Sequence, residues 1–229
     1  MEQEPGADRQ EEAGSVESVS ASVEFVLRAA LRDCVDEDFV HPIAGRIITE
    51  TQYAGEIQAG RIEPCFVPFD TALDHGIDTA RLGDGISGEI SEYWECLFDV
   101  ETGCLKEEIQ TEYEVLSVDL LIIQHLELYP AFRGLGIGVS AIHRTIDVFG
   151  SGCGLVVCKP WPLQFTSEAA SCQEELKHLA VPNIDEGVAL QKLRKYVSHI
   201  GFWPLADTGI YLMSLSQRVC EHRREGKIH

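Results

Sequence analysis

The segment Arg133-Gly134-Leu135-Gly136-Ile137-Gly138 sets three glycines at alternate positions behind an arginine. It follows the apolar run Val118-Asp-Leu-Leu-Ile-Ile-Gln-His-Leu-Glu-Leu128 and Pro130, and it opens into Val139-Ser-Ala-Ile-His-Arg-Thr-Ile-Asp-Val-Phe149. A glycine turn between a strand and a helix is a place to hold an anion. The first N–H groups of a helix lack intrahelical acceptors and sit at the positive end of its dipole. Glycine lets the backbone come close to a phosphate and take positive φ. Arg133 adds a fixed charge that can fork onto phosphate oxygens. The dinucleotide fingerprint fits less well: from Gly134 its third glycine falls on Val139, and from Gly136 on Ala141, a tolerated variant. The acidic residue that fingerprint needs at the end of the next strand is missing, because that strand closes Cys158-Lys159-Pro160.

Other chemistry has thinner support. The eight cysteines are scattered without a Cys-x-x-Cys pair, and no His-Glu-x-x-His occurs, so neither a metal centre nor a disulfide framework is expected. Cys153 and Cys158 flank an apolar strand, where a thiol serves as a small core residue. With 18 basic and 38 acidic residues the formal charge is −20. That charge repels phosphate backbones, so no nucleic-acid partner is expected. It suits a basic substrate such as an amine or Lys-rich peptide, and it also serves solubility.

These groups must be positioned by elements that the pattern of the 229 residues outlines. Hydrophobic residues make up 45% of the chain, enough for a real core, and no apolar run reaches membrane-spanning length. Met1-Glu-Gln-Glu-Pro-Gly6 lacks the basic start of a signal peptide, so a soluble cytoplasmic protein is expected, monomeric or homodimeric and without a membrane partner. Residues 1–22, rich in Glu, Ser and Gly, read as a disordered acidic tail, and residues 23–229 as one domain. Val23 to Leu31 fits a strand or a short helix. Gly45 to Thr51 and Pro64 to Phe69 read as extended pieces, the second limited by its prolines to an edge or a strand end. A helix is predicted from about Asp84 to Asp99, with Ile86, Ile90, Tyr93, Trp94, Leu97 and Phe98 on one face. Glu112 to Leu116 reads as extended, and Val118 to Leu128 as a central buried strand. Helix 139–149 should stop at a left-handed Gly150, and Leu155 to Lys159 is a second buried strand. After a polar insertion, 166–183, helical near 167–179, come a helix from Val188 to Ile200 capped by Gly201, a turn at Asp207-Thr-Gly209, and a last strand from Ile210.

Arg133-x-x-Gly136-x-Gly138, with its preceding strand, Pro130 and following helix, resembles the Arg/Gln-x-x-Gly-x-Gly/Ala motif of the GCN5-related N-acetyltransferase (GNAT) superfamily. Leu193 to Phe202, a helix ending in Gly201-Phe202, is similar to that family's second landmark, and the order of elements over residues 116–216 is also similar. The resemblance implies an α+β fold with a GNAT-like mixed, splayed β-sheet flanked by helices. It implies acetyl-CoA, or another acyl-CoA, as cofactor and an amine as acceptor. The pantetheine arm would enter a wedge between strands 118–128 and 155–159, pairing with backbone near Leu126 and Leu128. Amides from Gly134 through Leu135, Gly136, Ile137 and Gly138 to Val139 would take the pyrophosphate beside Arg133.

The same resemblance places a general base four or six residues before Leu128, where this chain has Gln124 and Ile122. His125 and Glu127 are the ionisable neighbours, which strict alternation turns to the opposite face and a β-bulge would bring around. Of the two, His125 is the better base. The thiolate-protonating tyrosine of such enzymes would fall at Val197, and Tyr196 stands one residue away, with Tyr211 a distant reserve. Trp161 and Phe165 wall a substrate pocket or fill a rigid connector. Two functions follow: an N-acyltransferase (acetyl first) in which a primary amine attacks the thioester directly, or a non-catalytic module that binds acyl-CoA or a protein.

Overall fold

A computed structural model describes residues 20–28, 39–51, 55–77, 82, 88–165, 179 and 184–216. Three long strands come first: β1 (Ser20–Leu27), β2 (His41–Thr51) and β3 (Gly55–Val67). Helices α1 (Phe69–Asp74), α2 (Gly88–Leu97) and α3 (Glu107–Glu112) follow. Then come β4 (Leu120–Leu128), α4 (Ile137–Phe149), β5 (Leu155–Cys158), α5 (Glu186–Ile200), β6 (Trp203–Pro204) and β7 (Tyr211–Ser214). The seven strands form one sheet in the order β1-β2-β3-β4-β5-β7-β6. All neighbours are antiparallel except β4 and β5. This is the α+β class and the mixed, helix-flanked sheet that the sequence resemblance implies.

Alternation along the strands feeds two apolar layers. Leu120 and Ile122 of β4, Leu155 and Val157 of β5, and Leu212 of β7 join α1, α2 and α3 on one face. Leu121, Ile123, Val156 and Met213 pack on the other face against α4 and α5. The first half of β4 is therefore buried on both sides, as a central strand must be when helices cover both faces. Ile122, with no exposed surface, has apolar neighbours all round. Ile122→Ala is expected to cost about 2–5 kcal/mol, measured as a fall in urea midpoint with unchanged m-value.

The helix ends have identifiable causes. On α4, Ile137, Ala141, Ile142 and Ile146 form the buried stripe. The Asp185 side chain caps α5 by accepting from the N–H groups of Gly187 (2.9 Å) and Val188 (3.3 Å). Gly201, at φ 110°, takes the left-handed conformation that closes it. Gly150 does not: at φ −77° it is right-handed. Its glycine is needed because a Cβ would stand 2.6 Å from the Ile146 carbonyl oxygen and 2.9 Å from Leu215 Cδ1.

Other expectations are corrected. β1 begins at Ser20, so Ser20 to Ser22, read as tail, are strand. Glu107–Glu112 is a helix, and the segment Glu112 to Leu116 forms no strand; Val115 is buried in the core of α1, α2 and α3, and Tyr113 packs against that core. The proline-containing strand is no edge but lies between β2 and β4; it does end at Val67, just before Pro68, as one of the two expectations had it. Residues 1–19, 83–87, 166–178 and 180–183 lie outside the described residues, and with them most of the acidic tail, Ile86 and nearly all of the 166–183 insertion. No described helix is long and apolar enough to cross a membrane.

Candidate functional site

The parallel pairing of β4 with β5 lasts four residues, from Leu120↔Leu155 to Ile123↔Cys158, and then stops. β4 continues to Leu128 with β3 on one side and, among the described residues, no strand on the other. This is a fork. Beyond Ile123 the departure of β5 opens a gap beside β4 through which a ligand can approach the strand.

At the fork β4 carries a bulge. Glu63 of β3 faces His125, whereas Pro64 faces Ile123, so Gln124 is an extra residue. Proline has no N–H to give to a ladder, and a bulge is where an interior strand accepts one. The extra residue resets the alternation. Leu126 and Leu128 join Leu121 and Ile123 on the α4 face, which leaves His125 and Glu127 on the face of Ile122. The bulge thus places His125 and Glu127 on the α2 side of the sheet.

A cavity of about 480 Å³ occupies the fork. Gln124, His125 and Leu126 line it from β4, Glu92 and Tyr93 from α2, and Tyr196 and Val197 from α5. Lys159 and Trp161, just past β5, form the remaining wall with Phe165. Volume and lining are those of a small-molecule site: largely apolar, with a few converging polar groups. Cys158 also lines it, but burial pushes its thiol up to about 12, so it is a packing residue and no thiolate nucleophile. Glu127 lies outside the cavity lining, and its carboxylate is held by Arg61 at 2.5 Å. The fork therefore gathers His125 and Tyr196, not Glu127. Tyr211 is buried in β7, away from the cavity lining.

The glycine turn sits at the end of β4. Gly134 and Gly136 have φ of 76° and 78°, a left-handed conformation that side chains other than glycine rarely take, and Gly136 caps α4. A Cβ at either would meet no atom of the described residues within 4 Å. Among the described residues, none accepts a backbone hydrogen bond from the amides of Gly134 to Val139; the first such bond of α4 runs from Ser140 N–H to the Gly136 carbonyl. Six consecutive amides are left for an anion.

Arg133 makes two contacts that its motif does not name. Its Nε donates to the Leu128 carbonyl (2.9 Å) and one Nη to the Leu179 carbonyl (2.6 Å). The guanidinium ties the glycine turn to the end of β4 and also occupies the Leu128 carbonyl. Gly138 is the third glycine for a further reason: a Cβ there would stand 2.7 Å from the Tyr196 hydroxyl and 3.4 Å from Leu128 Cδ1. Tyr196 thus reaches from α5 across the fork to the start of α4. Burial raises its phenol above the ordinary value, so the hydroxyl keeps its proton at neutral pH.

Glu92 and Lys159 were not singled out in the sequence, and they form an ion pair across the cavity wall. No sequence signal connects them, since they lie 67 residues apart. Among the described residues, no cluster of three or more His, Cys, Asp or Glu could hold a metal.

Neither a protein-family model nor a curated protein sequence matches this chain. Two solved structures overlap it loosely. One is AtaT complexed with acetyl-methionyl-tRNAfMet, at 9% identity and TM-score 0.40, covering 79% of this chain and 75% of that one. The other is a tyrosine-to-phenylalanine mutant of the AtaT toxin bound to the C-terminus of the antitoxin AtaR. It has 10% identity and TM-score 0.42, covering 89% of this chain and 97% of that one. Overlap at this level assigns neither an activity nor a substrate. The expectation that this chain avoids nucleic acid rests on its charge alone.

Proposed function

We propose that this protein is an acyl-CoA-dependent N-acyltransferase, with acetyl-CoA its first candidate donor. The observation that carries the reading is the row of amides from Gly134 to Val139, which have no backbone acceptor among the described residues and open at the end of a strand that β5 leaves after Ile123. The amides take the pyrophosphate. The pantetheine arm lies along β4 past Leu128, whose carbonyl Arg133 holds, and meets the strand at Leu126 in the gap that β5 leaves. The thioester then reaches the cavity beside His125 and Tyr196.

The acceptor amine attacks the thioester carbonyl carbon, the C–N bond forms and the C–S bond breaks. His125 removes the proton that the amine sheds, and Tyr196 delivers a proton to the departing CoA sulfur. Holding both reactants in one cavity supplies much of the acceleration. A non-catalytic acyl-CoA-binding module would use the same cradle without the proton transfers.

Incubation of the protein with acetyl-CoA and a set of primary amines, followed by release of free thiol, tests the reading. Turnover is expected, and Tyr196→Phe should lower kcat by about 10²-fold with a smaller change in KM for acetyl-CoA. Because the phenol must be protonated to act, and burial raises its pKa, wild-type rate should not fall on its account until the pH exceeds about 10. CoA binding without thiol release for any amine would leave the module; absence of CoA binding would remove both.

A further inference from the structure

The Glu92–Lys159 pair calls for an explanation that folding does not supply. It joins α2 to the segment after β5, and both side chains stay partly exposed, Lys159 at 35% and Glu92 at 44%. A pair this wet adds little to stability. Both residues line the cavity at the fork, Glu92 one residue from Tyr93 and Lys159 one residue beyond the last β4–β5 pair. The lysine stem runs beside the turn at Gly209, its Cε 4.0 Å from where a Cβ there would stand, and this directs the ammonium across toward α2. Around the pair the wall is aromatic: Tyr93, Trp161, Phe165 and Phe202. Trp161 and Phe165, 40% and 37% exposed, present ring surface to the cavity.

One carboxylate and one ammonium, side by side in an aromatic cavity, are the complement of a zwitterion with an apolar body. An α-amino acid carries its amine and its carboxylate on one carbon, so both can meet the two protein charges together. Taking such a ligand exchanges one ion pair for two and leaves no charge in the cavity unpaired. A simple alkylamine would satisfy Glu92 and strand Lys159; a carboxylic acid would do the reverse.

Resting on the acyltransferase reading, we propose that the acceptor is a free α-amino acid with an aromatic or large apolar side chain. Lys159 takes its carboxylate, Glu92 holds its ammonium beside His125, and the rings of Tyr93, Trp161 and Phe165 cover its side chain. One proton passes to solvent to free the amine lone pair, and His125 takes the second as the C–N bond forms and the C–S bond breaks. The product is the N-acyl amino acid.

Calorimetric titration of the full chain, without coenzyme, against phenylalanine, phenethylamine and 3-phenylpropanoate separates this proposal from the reading it rests on. Phenylalanine should bind at least about tenfold more tightly than either analogue. Lys159→Gln should erase its advantage over phenethylamine, which should bind this variant more tightly than the wild type because no ammonium is stranded, and Glu92→Gln should erase its advantage over 3-phenylpropanoate. Wild-type protein that binds the three equally, or binds none, overturns the acceptor assignment. So does a Lys159→Gln variant that keeps the preference. The wild-type comparison needs no variant to fold. A CoA-induced rise in melting temperature, measured in parallel, reports on the coenzyme site whatever the amino-acid result.

Discussion

Gly136→Asp is expected to abolish the rise in melting temperature that CoA gives the wild-type protein, with an affinity loss of about 100-fold or more. Gly136 is the cap of α4, at φ 78°, and the space that a Cβ there would enter, in front of the amides, holds no atom of the described residues within 4 Å. An aspartate side chain puts a negative charge in that space, where the pyrophosphate would lie. Asparagine is the control. It has the same shape, tolerates the left-handed conformation about as well, and carries no charge. Gly136→Asn should therefore bind CoA more tightly than Gly136→Asp while losing a similar amount of intrinsic stability. Equal CoA binding by the two variants would show that no anion sits on the turn. Arg133 is the poorer probe. Its guanidinium holds the Leu128 and Leu179 carbonyls, so replacing it disturbs the turn itself.

The second large effect concerns His125. His125→Gln should lower kcat by about 10²–10⁴-fold with little change in KM for acetyl-CoA, read in the thiol-release assay. Glu127→Gln should leave kcat nearly unchanged, because Glu127 lies outside the cavity lining and is held by Arg61. The contrast tests the bulge as much as the residue. Both side chains lie on the same face of β4, and only the one next to Gln124 reaches the fork. A large loss in the Glu127 variant with none in the His125 variant would move the proton acceptor one step down the strand.

Much of the frame was legible because it rests on local pattern. The apolar run ending at Leu128, the glycine turn and the stripe of α4 each follow from a period or a residue type, and so does the Gly201 stop of α5. What escaped depends on distant partners. Pro64 argued for an edge strand when read alone; its place in an interior strand follows from the extra residue on β4, about sixty positions further on. Gly150 looked like a left-handed stop, yet it is glycine because Leu215 and the Ile146 carbonyl crowd it. Arg133 looked like a phosphate ligand from its type and position, and its partners are carbonyls that no motif names. Tyr196 looked one residue out of place on a helix. Its hydroxyl nevertheless reaches Gly138, since a long side chain on a half-exposed position can lean across the fork. The Glu92–Lys159 pair had no local trace at all.

The cradle itself is tested most directly by following backbone amide resonances of nitrogen-15-labelled protein during a CoA titration. The Gly134, Gly136 and Gly138 amides should shift strongly and saturably, and pantetheine, which lacks the diphosphate, should leave them in place. If CoA binds and those three amides do not move, or if pantetheine moves them as far as CoA does, the turn is not the seat of the pyrophosphate.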